Sequence, residues 1–216
     1  MNKSKKLTLL AMFAALSYVI MIVGRFPIST VEFLKYDPKD MVIVICGFTS
    51  GPLAAFIVAA VVSVLEMLTV STTGPIGLVM NVISTSAFAC SAAYIYKKNH
   101  TLTGAVSGLA CGVISMTLVM LAWNYLITPL YMGMPREELA KMLLPVFLPF
   151  NLLKGLINAA ITLIVYKPIS RAVRRFEPAN DGNNHPKGKL NAAVTILSAV
   201  LLVTCILVIL AMKGLI

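Results

Sequence analysis

Acidic side chains are scarce in this chain, with 8 Asp and Glu among 216 residues, and charged residues of both signs make up only 12%. A water-facing domain carries about 25% charged residues, so there is too little charge here to cover a soluble surface. That excludes a soluble enzyme, and an apolar share of 59% excludes a disordered tail. Histidine is nearly absent. His100 and His185 both fall in basic or turn-rich stretches, and no HExxH occurs. Cys46, Cys90, Cys111 and Cys205 sit in apolar runs without CxxC spacing, which argues against a metal site or a disulfide framework. A phosphate-binding loop is also missing. The spacing from Gly182 to Gly188 is one residue too long for that motif, and Leu190 stands where it needs Ser or Thr. Any use of ATP must therefore come from another chain.

What the sequence has in abundance is apolar length, with a mean hydropathy of +0.91. The formal charge of +10 lies in short runs between the apolar stretches. Charge placed that way orients a membrane protein and does not make a nucleic-acid surface. A helix needs about 20 mostly apolar residues to cross the hydrocarbon. The first such span runs from Leu7 to Gly24. A short second span runs from Lys39 to Phe48, and a third from Gly51-Pro52 to Val70. The fourth covers Ile76 to Tyr96 and the fifth Thr101 to Ile127. A segment from Pro135 to Leu144 is expected to lie along the interface, before a sixth span from Val146 to Tyr166. Residues 190–212 form a seventh apolar run. The expected fold is therefore an all-α integral membrane bundle of six helices, residues 1–178. A linker follows at 179–189, and an added C-terminal segment at 190–216.

Basic residues set the orientation. Lys3, Lys5, Lys6, Lys97, Lys98 and the run from Lys167 to Lys189 share one side, opposed there only by Glu177 and Asp181. On the other side, Arg25, Lys35, Lys39, Arg136, Lys141 and Lys213 are nearly balanced by Glu32, Asp37, Asp40, Glu137 and Glu138. The asymmetry predicts a multi-pass membrane protein with a cytoplasmic N-terminus. It also predicts that the polar stretches 25–40 and 128–145 face outward. Asp37-Pro38 reads as a helix start, with Asp37 as cap and Pro38 at the first helical position.

Within the spans, this reading leaves two ionisable groups, Glu66 and Lys154, and so no acid–base pair for catalysis. Asn151, Lys154 and Asn158 share one helical face of the sixth span. Lys154 either lines a polar pocket or snorkels into a structural ion pair. Glu66 is expected to balance it, either as a packing pair or as part of a site. Asn81 and Asn124, at the same outer depth as Asn151, could each make an interhelical hydrogen bond. Their common outer depth, shared with Lys154, favours a pocket open to the outside. Ala11, Ala14 and Ala15 give the first span small residues for close approach, in an internal contact or a docking face.

These segments, taken in order, resemble the substrate-binding S component of energy-coupling factor (ECF) vitamin transporters, in particular the riboflavin-specific branch. The resemblance rests on Ala11-Met12-Phe13-Ala14-Ala15, Val31-Glu32-Phe33-Leu34-Lys35-Tyr36-Asp37, Gly51-Pro52 and Thr73-Gly74-Pro75-Ile76-Gly77. It continues through Asn124-Tyr125, Pro129, Tyr131 and Pro149-Phe150-Asn151-Leu152-Leu153-Lys154-Gly155. It implies a six-helix bundle with a vitamin pocket near the outer face, capped by the first loop. Leu34, Tyr36 and Asp37 would belong to the cap. Asn124, Asn151 and Lys154 would contact flavin, and Thr73, Gly77 and Asn81 would line the pocket. Ala11 and Ala15 would face a membrane coupling protein that works with two cytoplasmic ATPases. Riboflavin would be cargo, with no cofactor and no nucleic acid. FMN or another vitamin is the alternative cargo, and a stand-alone secondary transporter the alternative mechanism. The latter wants paired acids or coupling-ion ligands at midplane and internal repeats, and none is evident. The seventh apolar run departs from the family pattern and would place the C-terminus outside.

Overall fold

The computed structural model describes residues 3–27, 34–71, 73–133, 135–174 and 192–212. Val31, Glu32 and Phe33 of the loop motif, the expected linker at 179–189, the basic residues from Arg175 to Lys189, and Lys213 lie outside the described residues. Helix α1 covers Lys3–Gly24. A two-residue strand β1, Phe26–Pro27, pairs antiparallel with β2, Lys35–Tyr36. Then come α2 (Lys39–Ser50), α3 (Pro52–Thr69), α4 (Gly74–Lys98) and α5 (Leu102–Leu126). Short helices α6 (Thr128–Met132) and α7 (Arg136–Met142) follow, then a π-helical turn at Leu143–Phe147. The chain ends in α8 (Leu148–Arg174) and α9 (Ala192–Met212). Among the described residues, five helical stretches are long and apolar enough to cross a membrane.

Pro145 explains the π turn. Proline has no amide hydrogen to give the helix and its ring clashes with the preceding turn, so the chain widens locally instead of breaking. As a result α7 runs through the turn into α8, and the segment expected along the interface is joined to the sixth span. Its Leu139 is buried in the bundle.

Helix α2 is the centre of the molecule. Every residue from Val42 to Phe48 is buried, with α1, α3, α4 and α8 packed around it. Its 12 residues reach only about 18 Å, short of the roughly 30 Å hydrocarbon thickness. The helix begins at Lys39 with Pro38 as its cap residue and no side-chain capping bond. The sequence put the cap on Asp37, but an ion pair takes that carboxylate instead. Lys39 and Asp40, counted above with the outer-face charges, are fully buried.

Small residues let α4 and α5 approach closely. A side chain at Gly108 would meet the Ala92 carbonyl at 2.7 Å, and one at Gly112 the Phe88 carbonyl at 2.6 Å. Both obstacles are backbone, so neither can swing away. Replacing Gly112 with Val should destabilise the fold by about 1–3 kcal/mol and lower the thermal midpoint in detergent. Replacing its exposed neighbour Cys111 with Val should leave that midpoint unchanged.

Candidate functional site

Charge at membrane depth has to be matched, and the structure matches it in one place. Arg25 follows the end of α1. Its Nε lies 3.3 Å from Asp37 Oδ1, and its Nη1 lies 3.2 Å from Glu66 Oε1 on α3. Lys39 Nζ pairs with Glu66 Oε2 and stands 3.9 Å from Asp37 Oδ2. Lys154 Nζ on α8 is 3.5 Å from Asp40 Oδ2. The Thr85 hydroxyl of α4 donates to Asp40 Oδ1 at 2.7 Å. Three cations thus meet three carboxylates, and the cluster is neutral. The expected Glu66–Lys154 pair does not form. Lys39 and Arg25 hold Glu66, while Asp40 holds Lys154, because the start of α2 reaches further into the bundle than a capping loop would.

Beside this cluster lies a cavity of about 300 Å³. Seven of the expected site residues are on its wall: Leu34, Asp37, Thr73, Asn81, Asn124, Asn151 and Lys154. Tyr36 and Gly77 are not. Tyr36 turns away into the bundle, where its hydroxyl reaches Asn158 Oδ1 at 3.4 Å. Burial raises its phenol well above the ordinary value, and Asp40 and Asp37 add to the effect, so the hydroxyl stays a neutral donor. Gly77 sits under Thr73, whose hydroxyl occupies the space a β-carbon would need. Asn158 shares a helical face with Asn151 and Lys154, as its spacing requires. It lies deeper, and its Nδ2 donates to the carbonyls of Lys154 at 3.0 Å and Asp37 at 3.4 Å.

Residues that the sequence did not assign complete the wall. Glu66 and Arg25 bring charge, and Met80, Met120, Met132 and Phe150 bring flat or flexible apolar surface. Nothing in the spacing of the methionines distinguishes them from core residues. Glu66 did carry a signal, as the single acid within a span.

The asparagines are fixed by their own helices. Asn124 Nδ2 donates to the Met120 carbonyl at 2.8 Å, and its Oδ1 accepts from the Thr128 hydroxyl at 3.1 Å. Asn151 Nδ2 donates to the Phe147 carbonyl at 2.8 Å. That bond orients the amide and leaves Oδ1 and the second N–H as the groups it can offer a ligand. The wall therefore combines amide donors and acceptors, the ammonium groups of Lys35 and Lys154, the Arg25 guanidinium, two carboxylates and apolar faces. It suits a flat, polar-edged heterocycle.

On the opposite side of α1, Ala11 and Ala15 are exposed while Ala14 is buried. The alanines thus do not act as one face. Ala14 is packing, and the other two form an open strip.

Residues 5–166 match the family described as ECF transporter, substrate-specific component. The chain belongs to that family. S components are transport subunits of the membrane, not enzymes. The chain is 31% identical over 183 residues to "Riboflavin transporter RibU" of Streptococcus thermophilus, covering 78% of this chain and 84% of that one. With RibU of Staphylococcus aureus it shares 28% over 184 residues, covering 82% and 96%. With "Riboflavin transporter FmnP" of Bacillus subtilis it shares 29% over 174 residues, covering 76% and 91%. A solved structure, described as the S component of a bacterial ECF transporter, superposes with a TM-score of 0.69 at 27% identity. It covers 81% of this chain and all of its own. The all-α membrane fold expected from composition is the fold of this S component.

The cluster has an energetic consequence. Glu66 is 1% and Lys39 0% exposed. Removing one partner of a buried pair leaves the other charge uncompensated, at about 3–5 kcal/mol. Glu66→Gln should therefore lower the unfolding midpoint in detergent sharply. The double variant Lys39→Met with Glu66→Met should recover much of that loss, since it removes both charges and keeps apolar volume.

Proposed function

We propose that this chain is the riboflavin-binding S component of an ECF importer. The observation that carries the reading is the convergence of Asn124, Asn151 and Lys154 from two helices on one cavity beneath the β1–β2 ribbon. The pyrimidine edge of a flavin offers carbonyl acceptors and an N–H donor. An asparagine amide supplies both complements, and lysine supplies a donor. Met80, Met120 and Phe150 suit the apolar end of the ring. Thr73, Asn81 and Asp37 are placed for the hydroxyls of the ribityl chain. The relatives named above as riboflavin transporters support the same cargo.

Charge balance favours riboflavin over FMN. Lys39, one of the basic residues at the outer side, is fully buried and spent on Glu66. Arg25 is committed to Asp37 and Glu66. A phosphate would enter a wall that already presents two carboxylates, with Lys35, among the described residues, the basic side chain at the mouth without an ion pair.

The sequence carries no phosphate-binding loop motif, so in this reading the energy comes from the family's module of a membrane coupling protein and two cytoplasmic ATPases. The exposed strip at Ala11 and Ala15 is the docking face for the coupling protein, because small side chains let a partner helix approach closely. With the N-terminus cytoplasmic, the cavity faces outward. The packed length of α2 separates it from the other side, so delivery needs the partners to reorient the bundle.

Titration of purified protein into riboflavin should quench its fluorescence. Lys154→Ala or Asn151→Ala should weaken binding about tenfold or more, as expected for a buried hydrogen bond left unmade. Unchanged affinity in both would remove these residues from the site. FMN, thiamine and pantothenate should compete poorly; equal competition by FMN would shift the cargo to the phosphorylated flavin. Ala11→Trp with Ala15→Trp should leave riboflavin binding intact and abolish ATP-dependent uptake in vesicles containing the whole module.

A further inference from the structure

Helix α9 lies beyond the stretch that the family profile matches. The solved S component is covered in full by only part of this chain. The helix nevertheless packs along α8, and the apolar cluster it joins reaches the β1–β2 ribbon beside the cavity, the lid, whose root is Leu34 to Asp37. Cys205 is 3% exposed and belongs to the same apolar cluster as Leu34 and Tyr36, which flank and form β2. Leu139 of α7, Phe147 of the π turn and Phe150, Leu153 and Ile157 of α8 belong to that cluster too, and Leu201, Leu202 and Ile209 of α9 pack against it. Leu34 and Phe150 belong to the cluster and to the cavity wall at once.

The polar attachment of the lid root to α8 is weak. Among the described residues it consists of two long hydrogen bonds, Tyr36 Oη to Asn158 Oδ1 and Asn158 Nδ2 to the Asp37 carbonyl, each 3.4 Å. Burial has to do most of the holding. Tyr36 is 2% exposed, and its phenol is raised by burial first, then by Asp40, Asp37 and Cys205, so α9 contributes to its surroundings. The opposite face of α9, with Ile196, Val200, Val203 and Ile206, is exposed. One side of the helix meets the bundle and the other is left for lipid. Meanwhile α1, which carries Ala11 and Ala15, packs on α2 and α3.

We infer that α9 is a clamp on the root of the lid: packed against α8, it encloses Tyr36 and Leu34 and so slows escape of the bound ligand. The ligand part of this inference rests on the riboflavin reading. Opening of the lid can be followed without any ligand. Lys35 is exposed between two enclosed neighbours, and trypsin can cut after it only when β2 comes loose.

The experiment compares the full chain with a chain ending at residue 178, both in lipid nanodiscs. A full-length variant carrying Leu201→Ala, Leu202→Ala and Ile209→Ala covers the case in which truncation prevents folding. Two rates are read: riboflavin dissociation by stopped-flow fluorescence, and appearance of the peptide ending at Lys35 by mass spectrometry. The clamp predicts that dissociation and cleavage both accelerate about fivefold or more in the truncated chain, with association changing less. The alanine variant should show a smaller rise in both. If every variant that folds keeps both rates within about twofold of the full chain, α9 is no clamp. If the full chain fails to bind riboflavin, the cargo is wrong, and the cleavage rates still decide whether α9 holds the lid.

Discussion

A charge placed at membrane depth has to find its opposite, and that requirement organises this molecule. Arg25, Lys39 and Lys154 come from the end of α1, the start of α2 and the interior of α8. Asp37, Asp40 and Glu66 come from the lid root, α2 and α3. None of these elements can shift by a turn without leaving a charge unpaired. The desolvation cost of ion pairs makes them poor sources of net stability. Their value here is positional: they fix where four helices and a loop meet, and the cavity is built on that junction.

The shortness of α2 makes the room. A helix of about 18 Å in a hydrocarbon layer of about 30 Å leaves space along its own axis. Asp37, just ahead of α2, lines the cavity, and no residue of α2 itself does. Close packing of α4 on α5 through Gly108 and Gly112, and of Gly155 near Val113 and Met116, seals the bundle around the central helix. An open chamber and a dry interior are thus arranged along the same axis.

Much of the cavity wall was legible in the sequence because buried polarity is rare in a membrane chain. Asn124, Asn151 and Lys154 stood out against apolar surroundings, and their shared depth pointed to one pocket. The pairing of charges was not legible. Asp37, Lys39 and Asp40 lie in a polar stretch that reads as a loop, and only packing shows that its end plunges into the bundle. Tyr36 and Gly77 belong to the quoted motifs, yet they support the wall from behind. Spacing can say that residues share a segment, but not which of them turns toward a cavity.

By itself the sequence determined that the chain is a membrane protein, how many apolar segments it has, and which polar groups would be costly to leave in hydrocarbon. Those properties follow from local composition, since the price of burying a group depends on the group. Tertiary structure decided the partners: Glu66 with Lys39 and Arg25, Lys154 with Asp40, Tyr36 with Asn158, and α9 with α8. Pairing depends on distance between segments far apart along the chain, and distance is set only when the helices pack.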